Sequence, residues 1–269
     1  MSMRTLRHVT PKRVARSITS PGWYRRIPAP IIHRLMSDFD YVLVGGGLQN
    51  GLIALALRAH QPGARIALIE RDGALGGNHT WCFHGSHVDT GARTWLEPLV
   101  VNRWPGYRIL FPGAEHRLEE SYSRISSKRF HAVVSEAIEG HGDSTLLLDT
   151  DVADVGADWV RLGSGSTVGA MAVIDGRGAV PLQPNAPSGY QKFLGLEVEL
   201  EAPHGLDVPI IMDATVEQVD GYRFIYVLPL DDRTVLIEDT YFHDSPVLPA
   251  EDARLRIHGY AATRGWSIS

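Results

Sequence analysis

Two adjacent carboxylates, Glu238 and Asp239, close the apolar run Thr234-Val-Leu-Ile237. If that run is a strand, alternation sends them to opposite faces, one toward a pocket and one toward solvent or a partner. A carboxyl group facing an apolar pocket has its pKa raised, which keeps a proton donor ready near neutral pH. An acidic turn at a strand end is the alternative reading of the same pair. A second group of residues offers binding chemistry. Gly45, Gly47 and Gly51 follow the apolar run Tyr41-Val-Leu-Val44, and helix formers continue from Leu52 to His60. Gly45 allows a tight turn, and Gly47 lets the backbone approach a pyrophosphate at the helix N-terminus, where free N–H groups favour anions. Asn50 occupies the third position of the dinucleotide fingerprint, with Gly51 one step later, so the match is imperfect. Glu70 ends a second apolar run 23 residues beyond Gly47, where a ribose-binding carboxylate belongs.

Further candidates sit beside these. Gly76, Gly77, Asn78 and His79 open a polar-aromatic loop that runs to His84, read as a ligand contact or as a plain turn. The buried run Ala170-Met-Ala-Val-Ile-Asp175 ends in Gly176, placing a carboxylate and flexible backbone at a strand's carboxyl end, where open α/β sheets bind ligands.

The elements that must position these residues fall into two halves. Residues 36–180 read as a nucleotide-binding βαβ domain with a hairpin insertion near 100–120, turning at Pro112-Gly113. Ser127 to Ile138 has an amphipathic helical period, with Ser127 as its N-cap. Thr145–Asp149, Thr150–Val155 and Trp159–Leu162 are strand candidates, and Val180 to Gly189 is a Pro- and Gly-rich linker. Over 190–250 the period changes to two, as in Leu196, Val198 and Leu200 against Glu197, Glu199 and Glu201. That half is expected to be an antiparallel substrate sheet able to roof a pocket. Residues 251–269 open a further segment.

Composition narrows the class. Hydrophobic residues make up 44% and charged residues 21%, ordinary for a globular chain. No apolar run approaches the roughly 18 residues of a membrane span. Cys82 is the single cysteine, which excludes an intrachain disulfide, argues against a metal site and fits a reducing cytoplasm. Residues 1–35 hold eight Arg or Lys and no acid, leaving 18 basic against 31 acidic residues elsewhere, a net charge of −13. An acidic body argues against nucleic acid as a partner. With Pro11, Pro21, Pro28 and Pro30 and no periodicity, residues 1–35 are expected to be a disordered basic extension. Met36 reads as a natural start; a targeting or membrane-surface arm is the alternative.

Five blocks in order carry a family resemblance. Gly45-Gly-Gly-Leu-Gln-Asn-Gly-Leu52, Gly76-Gly-Asn-His-Thr-Trp81, Ile174-Asp-Gly-Arg-Gly178, Ile210-Ile-Met-Asp-Ala214 and Leu236-Ile-Glu-Asp-Thr240 together resemble the bacterial lycopene β-cyclases, flavoproteins of carotenoid synthesis. The resemblance runs from about Met36 to the last residue. It implies a hydroxylase-type flavoprotein fold: α/β, with a Rossmann-like FAD-binding βαβ domain and a second, antiparallel substrate sheet. It implies reduced FAD as cofactor and NADPH as electron donor. The substrate implied is lycopene, whose ψ-ends cyclise without net redox change to β-ionone rings, giving β-carotene through γ-carotene. Glu238 matches the family's essential acid, with Asp239 in support. A cytoplasmic protein in peripheral contact with the membrane's inner face follows from the same resemblance. Family members continue past Ser269 into a further third, which nothing here matches, so the chain is expected to be a C-terminally truncated cyclase. Another FAD hydroxylase or reductase of this fold, or an inactive truncated product, is the alternative.

Overall fold

Short apolar runs that end in glycine build the centre of the first sheet. The computed structural model describes residues 4–12, 38–178, 189–219 and 221–269. In chain order, β1 (Arg4–Lys12) is followed by β2 (Phe39–Val44), α1 (Leu48–His60) and β3 (Ile66–Ile69). Next come β4 (Thr80–His84), α2 (Thr90–Leu96), β5 (Val100–Trp104), β6 (Tyr107–Phe111), β7 (Ala114–Leu118) and β8 (Tyr122–Ser126). Helix α3 (Ser127–Glu139) leads to β9 (Thr145–Leu147), β10 (Val152–Val155), β11 (Trp159–Leu162) and β12 (Thr167–Asp175). The chain then forms β13 (Gly189–Glu199), β14 (Ile210–Asp213), β15 (Tyr222–Pro229), β16 (Thr234–His243) and α4 (Ala250–Thr263).

The six-stranded sheet has the order β10-β11-β12-β2-β3-β9, and β12, β2, β3 and β9 run parallel. Strands buried on both faces need apolar residues throughout, and Val42, Leu43, Val44 and Ile66 to Ile69 are all 0–1% exposed. Leu43, Ile66 and Leu68 pack against Ala54 of α1 and Phe130, Val134 and Ile138 of α3. Val42, Val44, Ala67 and Ile69 form a second core with Val160 and Ala170 on the other face.

The seven-stranded sheet has the order β1-β13-β16-β15-β14-β6-β7. Its face made by Leu194, Leu196, Val198, Val235 and Ile237 packs on Ala253, Ile257, Tyr260 and Ala261 of α4. Its other face, with Leu228 and Leu236, meets Trp104 and Tyr122 of a three-stranded sheet ordered β4-β8-β5. This small sheet therefore lies over the large one.

Several expectations need correction. The hairpin at Pro112-Gly113 forms, but β6 pairs in parallel with β14, so it extends the substrate sheet instead of decorating the nucleotide domain. That sheet is consequently not purely antiparallel. Residues 80–84 are a strand, not loop, because β8 supplies an antiparallel partner along their whole length, and all five side chains are half-buried. Ser126 caps α3, its hydroxyl accepting from the Arg129 N–H, one residue earlier than expected. Arg4–Lys12, expected to be disordered, pairs with the whole length of β13 up to Glu197. The remainder of the basic extension, and the linker from 179 to 188, lie outside the described residues.

Gly51 also changes role. A Cβ there would meet the Phe130 ring at 2.1 Å, so this glycine lets α1 and α3 touch. Gly51→Val should destabilise the fold by roughly 1–3 kcal/mol, because the ring is locked in the core. Urea denaturation checks this; an unchanged midpoint would show that the helices part freely.

Candidate functional site

The carboxyl ends of β2, β3 and β12 converge on one cleft of about 420 Å³. Gly45, Gly46 and Gly47 form its floor, with Glu70, Arg71, Gly76, Gly77, His79, Thr150, Gly176 and Arg177 around it. Gly45 sits at φ +95°, and a Cβ there would come within 2.9 Å of the Gly176 backbone, so the two turns touch only because residue 45 is glycine; a Cβ on Gly176 would meet the Asn50 amide at 2.6 Å. Asn50 braces the first of these turns: its side-chain amide donates to the carbonyls of Val44 (2.9 Å) and Gly45 (2.8 Å). Helix α1 starts after Gly47 with no side-chain cap and no acid in its first turn. A Cβ on Gly47 would meet nothing within 4 Å, so space lies open over uncapped N–H groups. That combination suits an anion. The Glu70 carboxylate accepts from Gly46 N–H at 2.5 Å and Asp72 N–H at 2.9 Å, which fixes it at the cleft wall.

The second site lies on the large sheet. On β16, Val235, Ile237, Asp239 and Tyr241 point toward α4, while Leu236 and Glu238 point toward the small sheet. Glu238 is opposite Gly195 on β13 and Tyr226 on β15. A Cβ on Gly195 would stand 3.1 Å from Glu238 Cγ, so that glycine makes room for the acid. Glu238 has no hydrogen-bond or ion-pair partner among the described residues. Part of its surface remains open, yet protein surrounds the carboxyl densely, and burial lifts its pKa to about 8. Around it stand Cys82, whose thiol burial pushes up to about 11, and the hydroxyls of Tyr122 and Tyr226. A carboxylic acid that keeps its proton near pH 7 in apolar surroundings is a competent general acid.

Residues 40–269 match the lycopene cyclase protein family. The chain belongs to that family. It is 47% identical to lycopene beta-cyclase of Pantoea ananas over 87% of this chain and 60% of that one. The corresponding protein of Pseudescherichia vulneris is 44% identical over 86% and 58%. The chain thus spans about three-fifths of the length of these curated relatives. Among solved structures it is similar to PqsL of Pseudomonas aeruginosa, a probable FAD-dependent monooxygenase (TM-score 0.57, 18% identity, 80% of this chain and 62% of that one). It is also similar to 2-methyl-3-hydroxypyridine-5-carboxylic acid oxygenase (TM-score 0.60, 12% identity, 84% and 66%). These likenesses establish a hydroxylase-type flavoprotein fold.

Within this cyclase-family chain the expected site residues separate. Gly45, Gly47, Glu70, Gly76, Gly77, His79 and Gly176 meet at the cleft. Gly51 packs on Phe130 instead, and Asn78 is exposed outside the cleft lining. Asp175 does not line it either; its carboxylate holds Arg177 through bonds of 2.7 and 2.9 Å, and that guanidinium keeps it below the usual range. Gly46, Arg71, Thr150 and Arg177 line the cleft without being among the expected site residues, and Arg177 stands between two glycines after a strand-end acid. Asp239 faces away from Glu238, bonded to Arg223 Nε at 2.6 Å and to the Tyr241 hydroxyl. Burial pushes its carboxyl up against the pull of those two partners. It supports β16 from behind and is no part of the acid site.

The raised Glu238 pKa has a stability consequence. Below about pH 4.5 the carboxyl is protonated whether the chain is folded or not. As pH rises toward about 8, the unfolded chain releases this proton and the folded one keeps it, so stability falls across that window and stays reduced above it. Glu238→Gln removes the penalty. It should be more stable than the parent at pH 8.5 by about 1–3 kcal/mol, with the gap closing at pH 4.5. Denaturant titrations at both values test this, and a gap independent of pH would contradict it.

Proposed function

We propose that this chain carries the acid and the nucleotide half of a lycopene β-cyclase. The observation behind this reading is Glu238: an unpaired carboxylic acid on an apolar sheet face, at the position of the family's essential acid. Glu238 gives its proton to the terminal double bond of a lycopene ψ-end. The cation is attacked by a neighbouring double bond, and loss of a ring proton leaves a β-ionone ring, with no net change in protons or electrons. The apolar surroundings exclude water, which would trap the cation as an alcohol. Aromatic faces stabilise positive charge, and Tyr222, Phe224 and Phe242 stack at 6.0–6.3 Å along the same sheet face as Glu238.

FAD is the cofactor in this reading. The residues fit its ADP half: Gly47 would admit the pyrophosphate to the N-terminus of α1, Glu70 would face a ribose, and Arg177 would offset phosphate charge. Reduced flavin, with NADPH as the source of electrons, supplies negative charge that stabilises a cation and exchanges no hydride with the polyene. Lycopene dissolves in lipid, so the protein works in the cytoplasm, peripherally at a membrane's inner face. No helix among the described residues is long and apolar enough to cross one.

Joined to the remaining part of a full-length relative, the chain should turn red lycopene-accumulating cells orange with β-carotene. In that context Gly47→Val should lose flavin absorbance, because its side chain enters the pyrophosphate space. Glu238→Gln should retain flavin and leave at least 100-fold less β-carotene, the scale of a lost general acid. Undiminished β-carotene from Glu238→Gln would refute the assignment.

A further inference from the structure

Tyr226 is the direct cross-strand neighbour of Glu238, close enough for side chains on one sheet face to meet. Its hydroxyl does not bond to the acid. It is held instead by the Tyr122 hydroxyl, 2.9 Å away across the gap between the two sheets. The Cys82 thiol, on the neighbouring strand of the small sheet, couples to both hydroxyls. Tyr122 is itself fixed, packed against the rings of Trp104, Tyr107 and His84 at 4.9–6.3 Å. The other charged groups on this face are also engaged. Arg124 on β8 bonds to Asn102 Oδ1 at 3.0 Å and pairs with Glu197 of β13 at 3.4 Å.

A hydrogen bond donated to a carboxylate favours its charged form and lowers its pKa, so less of the group carries a proton near neutral pH. Glu238 faces Cys82 from β4, Tyr122 and Arg124 from β8, Glu197 from β13 and Tyr226 from β15. Of these, Tyr226 is the hydroxyl donor on the adjacent strand in register with the acid. We infer that Tyr122 is a positioning residue of the proton donor: by holding the Tyr226 hydroxyl, it withholds that donor from Glu238. The inference rests on Glu238 being the donor proposed above, but the arrangement itself exists whether or not substrate is present. With Tyr226 as the donor of this pair, its single hydroxyl proton is spent on Tyr122 and does not turn to the acid, while the Tyr122 proton is left for the Cys82 thiol.

The test needs no substrate. Infrared difference spectra across a pH titration of the 269-residue chain should contain a protonated-carboxyl band that Glu238→Gln removes, and this band would report the acid. Tyr122→Phe keeps the ring and frees the Tyr226 hydroxyl, so the midpoint of that band should fall by about one pH unit or more. Tyr226→Phe removes the donor and should leave the midpoint where it is in the parent. The double variant Tyr122→Phe/Tyr226→Phe should return to the parent value. That reversal separates a released tyrosine from water admitted by looser packing, which would lower the midpoint in the double variant as well. An unchanged midpoint in Tyr122→Phe, or a fall that persists in the double variant, overturns the inference. Either result leaves the cyclase assignment standing, since pigment formation by Glu238→Gln tests that separately.

Discussion

The Arg223–Asp239 ion pair decides which way β16 faces. Both groups are almost fully buried, at 4% and 0% exposure, and the carboxylate is further held by the Tyr241 hydroxyl, which Arg256 of α4 also contacts. A one-residue slip of β16 would turn Asp239 toward the small sheet and leave Arg223 buried without its partner. Breaking such a pair costs about 3–5 kcal/mol, so the register is strongly specified. Because alternation is strict, an anchored Asp239 obliges Glu238 to face the other way. The structural carboxylate and the chemical one are thus neighbours in sequence with opposite tasks. One is paired and fixed, the other unpaired and able to hold a proton.

The same economy of position organises the glycine-lined cleft. Three strand ends must approach closely enough for their turns to share one small volume. Gly45 and Gly176 permit the backbone contact, and Asn50 replaces the expected third glycine with an amide that bonds both the strand end and the turn. The deviation from the fingerprint is therefore a different means of closing the turn. Helix packing, the usual duty of the third glycine, has moved one residue on to Gly51, against Phe130.

Much of this was legible in the sequence, and the failures share a cause. Local signals served well where an element's burial depends on its own period: β2 with its glycine turn, α3 with its apolar stripe, and the alternating β13 and β16. Glu238 and Asp239 were correctly divided between two faces by alternation alone. The readings failed where a partner distant in sequence decides the outcome. Thr80–His84 has the composition of a loop and becomes a strand only because Tyr122–Ser126 runs beside it. The β6–β7 hairpin reads as an insertion until Ile210–Asp213, about 100 residues later, pairs with it. Arg177 was hidden because its role comes from being clamped by Asp175, and no spacing rule reports a clamp two residues long. Gly195 likewise looks like a flaw in a strand. Its reason lies opposite, in the bulk of Glu238.

Three sheets, not two, are needed to make an isolated acid. The large sheet supplies two carboxylates on one face, Glu197 and Glu238, and if both lacked partners the face would take up water. The small sheet resolves this unequally. Its Arg124 reaches Glu197, and its Asn102 both accepts from Arg124 and donates to the Leu230 carbonyl at 2.9 Å, tying the layers together. Glu197 thus gains a partner and the sheets gain a cross-link from the same guanidinium. Nearest to Glu238 the small sheet brings a thiol, Cys82, and one phenol, Tyr122, which stay neutral, and the Tyr122 hydroxyl bonds to Tyr226 of the large sheet. The charged contact that holds the layers together, Arg124 to Glu197, is turned to one side of the acid. This allows the interface to be tightly bound without neutralising it. The proposed reaction, protonation of a hydrocarbon, would require that separation, since any cation placed against Glu238 would draw the proton off before the substrate could take it.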